Sequence, residues 1–375
     1  MTTTFARTDR SPIAQWWWTV DRWSIVAVLA LVGFGSLLIM AASPAVAERI
    51  GADRLFFVRH YFAVLPFALA AMFLVSFLSP RAIRHIAMIG LVIGLVCVAY
   101  TLIGGVEIKG ARRWIDLPGL SIQPSEFLKP CFAVVAAWLF AQSKLRPGFP
   151  GQAIAIALFI VIVTLLMRQP DLGMTVVVCA VWFTQFFLAG LPLVWVVVFM
   201  LSGAAGLGGA YLLLPHVTSR IDRFFDPGSG DSYQVDRAMD AFMNGGWWGR
   251  GPGEGTVKLS LPDAHADFVF AVAGEELGLI VCLVIVAIFA FIVLRGFARL
   301  LQESNLYVVL AGTGLLVQFG LQAIINMASA LHLMPTKGMT LPFISYGGSS
   351  LLALALAMGM LLALSRRRFG PGGIS

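Results

Sequence analysis

Charged residues are scarce in this sequence. Aspartate, glutamate, lysine and arginine together make up 12% of the 375 residues, against roughly 25% in an average soluble domain. Hydrophobic residues make up 59%. This composition excludes an ordinary soluble enzyme or binding domain and indicates a protein embedded in a membrane.

Cysteines and nucleotide-binding signatures are also few or missing. The four cysteines, Cys97, Cys131, Cys179 and Cys282, are far apart and have apolar neighbours. We therefore expect buried free thiols, with neither a disulfide framework nor zinc-type ligand spacing, and we assign no metal ligand. The glycine-rich segment 244–255 lacks the Lys-Ser/Thr of a phosphate-binding loop and its strand–turn–helix setting, which argues against a cytosolic nucleotide site.

Long apolar runs dominate the chain. About ten of them approach the ~20 residues that cross a bilayer as a helix: 24–42, 60–79, 84–104, 125–142, 152–168, 172–189, 191–213, 267–294, 306–329 and 345–364. The sequence thus predicts an all-α polytopic membrane protein with about ten transmembrane helices and one membrane domain, 24–365. The longest polar connection, about 214–266, joins the seventh and eighth spans.

Basic residues predict the orientation. The segments assigned to one side hold only three acids, Asp9, Asp21 and Glu303, against these basic residues: Arg7, Arg10, Arg22, Arg81, Arg84, Lys144, Arg146, Arg295, Arg299, Arg366, Arg367 and Arg368. Short basic loops face the cytoplasm. We expect a cytoplasmic N-terminal segment, 1–23, a cytoplasmic tail, 366–375, and a first span that stays as an anchor, since no signal-peptide pattern precedes it.

The net charge of +7 therefore reports topology and contact with anionic membrane lipid. No RNA-binding signature or zinc-type spacing accompanies it, so no nucleic-acid partner is expected.

Asp267 lies where a polar segment, residues 261–267, runs into a long apolar run. A carboxylate at the mouth of a membrane helix is a functional candidate, because burying it in hydrocarbon costs several kcal/mol. The alternative is a helix N-cap, since Asp caps helices well.

Other charged residues lie in the connections between spans that are predicted to be on the outer side of the membrane. Glu126 and Lys129 are three residues apart on one helix face, where they form a structural salt bridge or line a polar cavity that opens outward. Arg168 and Asp171 flank a tight Pro-Gly turn, for which helix capping is the favoured role. Arginines with tryptophans in the 214–266 loop point to an anionic, amphipathic ligand.

Several motifs in chain order resemble those of the SEDS family (shape, elongation, division, sporulation). They are Gln123-Pro124-Ser125-Glu126-Phe127-Leu128-Lys129, Gln169-Pro170-Asp171-Leu172-Gly173, His265-Ala266-Asp267-Phe268 with Gly274-Glu275-Glu276-Leu277-Gly278, and Pro342-Phe343-Ile344-Ser345-Tyr346-Gly347-Gly348-Ser349. The match extends over essentially all ten spans. Segment 245–255 is more similar to the cell-division branch than to the elongation branch. Ala266 and Met174 depart from the usual hydroxyl residues, but neither departure removes a charge.

The resemblance implies a peptidoglycan glycosyltransferase of the bacterial cytoplasmic (inner) membrane, acting at the division site. Its substrate would be lipid II, and its partners a class B penicillin-binding protein and other division-complex proteins. Asp267 matches the essential aspartate and would be the general base. The candidates for pyrophosphate contacts are Lys129, Arg112, Arg113, Arg220 and Lys337, with Glu126 orienting Lys129. No cofactor is certain, although a divalent cation, Mg²⁺ or Mn²⁺, could help to stabilise the leaving group.

Two other functions stay open from the sequence. A lipid II flippase would need essential charges at the membrane midplane and on the cytoplasmic side, whereas here they collect on the outer side. A non-catalytic division scaffold would not need Asp267.

Overall fold

A computed structural model describes residues 11–108, 110–117, 120–190, 193–213, 218, 222, 233–335 and 338–366. Its helices are α1 (Pro12–Thr19), α2 (Arg22–Arg49), α3 (Phe56–Ser76), α4 (Pro80–Gly104), α5 (Pro124–Leu145), α6 (Gly151–Arg168), α7 (Leu172–Leu188), α8 (Leu193–Leu213), α9 (Tyr233–Gly245), α10 (Val269–Leu300), α11 (Leu306–Ala330) and α12 (Gly348–Leu364). A 3₁₀ turn covers Val257–Leu259.

Most of these helices are apolar over their whole length. Seven of the described ones, α2 to α6, α10 and α11, are long and apolar enough to cross a membrane, and α7 and α12 are shorter apolar helices. Together with α8 they lie where the ten spans were predicted. The predicted helical, multi-pass fold is confirmed, whereas the number of crossings stays a prediction.

Side-chain contacts define two ends of the helix bundle. At one end Asp21, before α2, is buried against Arg295 and Arg299 near the end of α10, with N–O distances of 2.8 and 3.0 Å. At the other end Arg49, at the end of α2, donates to the carbonyl of Leu261 (3.3 Å), a few residues before Asp267. We call these the Asp21 end and the Asp267 end.

The short helix α1 was not predicted. Ser11 caps it by accepting from the Ala14 N–H (3.3 Å), and proline occupies its first turn, where the missing N–H costs nothing. Trp16 is buried: it stacks on Phe77 with 4.8 Å between ring centroids and donates to Ser76 (2.9 Å). These contacts hold α1 against the end of α3.

The connection between α4 and α5, predicted as a polar loop, contains a small antiparallel sheet. Its strands, in order, are β1 (Val106–Ile108), β2 (Ala111–Leu117) and β3 (Leu120–Ile122). Among the described residues, this sheet is the one addition to the all-α class, and it lies at the Asp267 end.

Helix α10, predicted as one continuous span, is broken at Gly278, whose backbone lies at φ 81° and ψ 174°. The segment 245–251 docks into the break. Leu279 N–H donates to the carbonyl of Gly246 (2.9 Å), and the N–H groups of Arg250 and Gly251 donate to carbonyls in the turn before the break (2.9 Å each). The interrupted helix is thus stabilised inside the protein, as a membrane requires.

Glycine is necessary at this contact because two backbones touch. A Cβ on Gly278 would lie 2.4 Å from Gly249 N, and one on Gly245 would lie 1.9 Å from the carbonyl oxygen of Gly274. Gly278 faces Gly249, and Gly274 faces Gly245. Gly274 and Gly278 are one helical turn apart along α10, so the segment and the helix are in contact through glycines at both positions.

Gly278→Ala is expected to lower the free energy of unfolding by about 2 kcal/mol or more, because it adds positive-φ strain to a backbone overlap. The measurement is thermal unfolding of the purified protein in detergent. Gly33→Ala in α2 is the control, since no atom lies within 4 Å of a Cβ built there. Equal unfolding temperatures for the two variants would contradict the proposed docking.

Candidate functional site

Asp267 lies half-buried in a series of turns just before α10. The carbonyl groups of residues 265–267 accept hydrogen bonds from Tyr346 N (2.8 Å), Ser345 Oγ (2.6 Å) and Asn326 Nδ2 (3.0 Å), in that order. The backbone that carries the carboxylate is therefore fixed by α11 and by the connection before α12. The N-cap position of α10 is held by Phe268, not by Asp267.

The described residues 338–347, which we call the strap, pass beside Asp267. A Cβ placed on Gly338 would lie 3.5 Å from Asp267 Oδ2, so glycine brings backbone close to the carboxylate. Asn326 Nδ2 also donates to the Met339 carbonyl (2.6 Å). One buried amide group therefore ties Asp267 and the strap to the same helix, α11.

The ring of His265 supports the segment from the other side. It packs between Phe57 of α3 and Tyr346 of the strap, with 4.4 and 5.1 Å between ring centroids. His265 thus contributes packing around Asp267.

Glu126 and Lys129 form a buried ion pair in the first two turns of α5. Glu126 Oε2 lies 2.8 Å from Lys129 Nζ, and both side chains are less than 7% exposed. Lys129 Nζ also donates to Gln322 Oε1 (3.1 Å). The Nε2 of Gln322 in turn donates to the Thr340 carbonyl in the strap (3.2 Å). The ion pair is therefore connected to the strap that passes beside Asp267.

The acidic pair after the Asp267 segment anchors the 244–258 region. Glu275, fully buried, accepts from the N–H groups of Thr256 (2.7 Å), Val257 (2.7 Å) and Lys258 (3.0 Å), and so caps the 3₁₀ turn. Glu276 forms an ion pair with Lys258, and both are buried. The sequence alone assigned no role to Glu275 or Glu276. The signal that could have indicated one is the presence of two adjacent acids inside an apolar run.

Arg113 joins the sheet to the turn between α6 and α7. Its guanidinium donates to the carbonyls of Gln169 (3.0 Å) and Pro170 (2.5 Å) and lies 3.5 Å from Asp171 Oδ2. Asp171 Oδ1 accepts from the Met174 N–H (3.2 Å) and so caps α7. These contacts hold the sheet against the turn before α7, and the pyrophosphate contact of Arg113 stays a prediction.

Arg112 lies on the opposite face of β2, because successive strand residues alternate. It forms an exposed cross-strand ion pair with Glu107 (3.3 Å). An exposed pair of this kind contributes little to stability, which leaves the guanidinium available to an anionic ligand.

The structure thus links several of the predicted site residues. Asp267, Glu126 and Lys129 are linked through Asn326, Gln322 and the strap. The sheet carrying Arg112 and Arg113 reaches this region through Ser349, which donates to the carbonyl of Ser121 (3.1 Å). Arg220 and Lys337 lie outside the described residues.

Within the described part of the chain, no three His, Cys, Asp or Glu side chains gather as metal ligands. A divalent cation, Mg²⁺ or Mn²⁺, stays an expectation from the sequence. What these side chains offer is a partly accessible carboxylate on a hydrogen-bonded backbone, linked through α11 and the strap to a buried, neutralised lysine. A positioned carboxylate can accept a proton from a bound hydroxyl group.

Known proteins share the sequence and the fold. The profile of the FtsW/RodA/SpoVE family, described as "Cell cycle protein", matches residues 22–369. A protein of Caulobacter vibrioides named "Probable peptidoglycan glycosyltransferase FtsW" is 44% identical over 99% of this chain and 95% of its own length. A protein of the same name from Trichlorobacter lovleyi is 33% identical over 91% of this chain and 92% of its own length.

Solved structures agree with these relatives. One, from work on "a peptidoglycan synthase complex" that coordinates "polymerization and crosslinking", has a TM-score of 0.77 and 28% identity, covering 92% of this chain and 97% of that one. The rod shape determining protein RodA of Thermus thermophilus has a TM-score of 0.68 and 28% identity, covering 93% and 97%. The chain is therefore a multi-pass membrane protein that belongs to the FtsW/RodA/SpoVE family of cell cycle proteins, the SEDS family, and is similar to its FtsW members.

Proposed function

We propose that this protein is a peptidoglycan glycosyltransferase that polymerises lipid II into glycan strands during cell division. The relatives with which it aligns end to end carry the name peptidoglycan glycosyltransferase FtsW. The structural observation that carries the proposal is Asp267: a half-buried carboxylate whose backbone is hydrogen-bonded on successive residues.

Asp267 acts as the general base. It takes the proton from the sugar hydroxyl of the acceptor, whose oxygen attacks the anomeric carbon of the donor. The bond from that carbon to pyrophosphate breaks, and its electron pair leaves with the lipid pyrophosphate. A donor linked in the α configuration gives a β-linked product by one in-line displacement, so no covalent enzyme intermediate is needed.

The buried ion pair has a supporting role. Because Glu126 neutralises Lys129, the pair can be held in a low-dielectric site at a tolerable cost. It holds the strap beside Asp267 through Gln322. Because Lys129 is buried and neutralised, the exposed Arg112 is the better candidate for contact with the departing pyrophosphate, with Arg220 and Lys337 as further candidates.

The distribution of buried charge favours an enzyme over a flippase. Among the described residues, the buried charges other than Asp21 lie near the starts of α5, α7 and α10, at the Asp267 end: Glu126, Lys129, Asp171, Lys258, Glu275 and Glu276. A carrier that moves a charged headgroup through the bilayer needs such groups along its path. A scaffold needs none of them.

We place the Asp267 end outside the cytoplasm and both termini inside. The basic segments at the Asp21 end support this orientation. A class B penicillin-binding protein at the division site is the proposed partner, supported by the similarity to a chain from a peptidoglycan synthase complex.

The orientation can be tested with an impermeant thiol reagent. A cysteine replacing Ser229, in the chain segment between α8 and α9, is expected to react in intact spheroplasts, whereas one replacing Thr3 should react only after lysis. The parent protein corrects for its four native cysteines. The reverse pattern would overturn the orientation and the outward placement of Asp267.

Asp267→Asn is expected to reduce glycan polymerisation at least about a hundredfold, the usual scale for loss of a general base. The assay uses purified protein and lipid II, with and without the partner, and glycan chains are resolved on a gel. Folding should persist, because the backbone hydrogen bonds of residues 265–267 do not involve the carboxylate.

Asp263→Asn is the matched control. Asp263 lies four residues upstream with a backbone φ of 50°, a conformation that Asn tolerates well. The Asp263→Asn variant should polymerise lipid II normally. An Asp267→Asn protein as active as this control would refute the general base and favour the flippase or scaffold.

Lys129→Ala is expected to cost about 3–5 kcal/mol of stability, because it leaves Glu126 buried without its counter-charge, and to impair polymerisation. Lys129→Arg should be milder. The double variant Glu126→Gln/Lys129→Met removes both charges and should regain stability but not activity. Normal polymerisation by Lys129→Ala would show that the pair is not needed by the site.

A further inference from the structure

Among the described residues, the exposed tryptophans lie at the two ends of the helix bundle. Trp17, Trp18 and Trp23 are at the Asp21 end, in α1 and the first turn of α2. Trp247 and Trp248 are 65% and 83% exposed, in the segment that docks into the break in α10. Tryptophan is enriched at both membrane–water interfaces, because its ring is apolar and its N–H group is polar. The two sets are therefore arranged as two interfacial belts would be.

Helix α9 runs beside the start of α10 in the same direction. The glycine contacts pair Gly245 with Gly274 and Gly249 with Gly278, so later residues of one element touch later residues of the other. The chain then turns back, since residues 256–258 are held by the carboxylates in the turn of α10 before the break. The two tryptophans thus lie at the tip of this excursion, where it reaches furthest along α10.

The length of α10 places the tip at the level of a membrane interface. Arg299, near the end of α10, pairs with Asp21 and marks the headgroup layer at that end, because charged groups avoid hydrocarbon. Leu279, the first residue after the break, lies 20 residues before Arg299, which along a helix is about 30 Å. The hydrocarbon core of a bilayer is also about 30 Å thick. The tryptophans therefore lie where hydrocarbon meets headgroups at the Asp267 end.

The apolar surface of α10 begins directly beside the tip. The N–H groups of Leu279 and Ile280 donate to the carbonyls of Gly246 (2.9 Å) and Trp247 (3.4 Å). The side chains of Leu279, Ile280 and Leu283 are exposed, and an exposed apolar surface on a membrane-spanning helix faces lipid. The surface that carries the two tryptophans is continuous with this lipid-facing one.

We propose that Trp247 and Trp248 insert into the bilayer interface at the Asp267 end and anchor the segment 245–251 to the lipid. Their rings lie against acyl chains beside the exposed side chains of α10, and their N–H groups meet the headgroup layer. This assignment separates the two tryptophans from the substrate contacts expected of the 214–266 loop. It rests on the membrane fold and depends neither on the glycosyltransferase proposal nor on which end faces out.

The depth of the tip can be measured by electron paramagnetic resonance on the purified protein in liposomes of phosphatidylcholine and phosphatidylglycerol. A nitroxide on a cysteine replacing Trp248 reports collisions with oxygen, which concentrates in lipid, and with a polar nickel complex, which stays in water. The label is expected about 5–10 Å inside the headgroup–acyl boundary. Folding should persist, because Trp248 is exposed and the hydrogen bonds at the tip come from the backbone. The parent protein corrects for labelling of the native cysteines.

Two matched labels calibrate the measurement. A cysteine replacing Asp236, an exposed residue near the start of α9, should report water, and one replacing Leu283, one turn beyond the break, should report hydrocarbon. A Trp248 label as accessible to nickel as the Asp236 label would overturn the insertion and indicate a surface for a soluble partner. A Trp248 label shielded from both reagents would also overturn it and indicate a contact with a second copy of this chain.

Discussion

The Asp267 end of this protein depends on the break in α10. A helix can be interrupted within a membrane only if other parts of the protein satisfy its backbone groups. Here the segment 245–251 does so, through hydrogen bonds on both sides of Gly278. The contact needs glycine on both partners. Once it is made, Glu275 and Glu276 direct their carboxylates at residues 256–258 and hold that turn, which leads directly into the Asp267 segment.

Helix α11 connects the two halves of the candidate site. Gln322 and Asn326 are four residues apart and so lie on one face of the helix. Gln322 holds Lys129 and the strap, and Asn326 holds the strap and the backbone of Asp267. A shift of the strap would therefore change the hydrogen bonds both of the ion pair and of the Asp267 backbone. The amide side chains position the charged ones without adding charge to a region of low dielectric.

Hydrophobic runs predicted the helices well, because a membrane helix can be recognised from the length of an apolar segment alone. They could not predict the sheet before α5, whose outer strands have three residues each and carry no clear alternation. They also missed the break at Gly278, because glycine is common in membrane helices, so neither it nor the acidic pair before it, Glu275 and Glu276, marks a break by itself. Only the long-range contact with residues 245–251 shows why the helix stops there.

Charge patterns were informative in a similar, limited way. The three-residue spacing of Glu126 and Lys129 was enough to suggest their pairing, because helix geometry is local. The role of Arg113 was not accessible, since its partners Gln169 and Pro170 are more than fifty residues away. Asp267 stood out because a carboxylate beside an apolar run is rare, but Asn326, its neutral neighbour, carries no comparable signal.

At the Asp21 end the first and last helices are fastened to each other. Arg366, just after α12, donates to the Thr19 hydroxyl at the end of α1 and to the carbonyl of Phe77. Residues that are far apart in sequence, near 19 and near 366, are thus in direct contact. Joining residues near 19 to residues near 366 by a short linker and opening the chain elsewhere would preserve this contact, so the fold is a natural candidate for circular permutation.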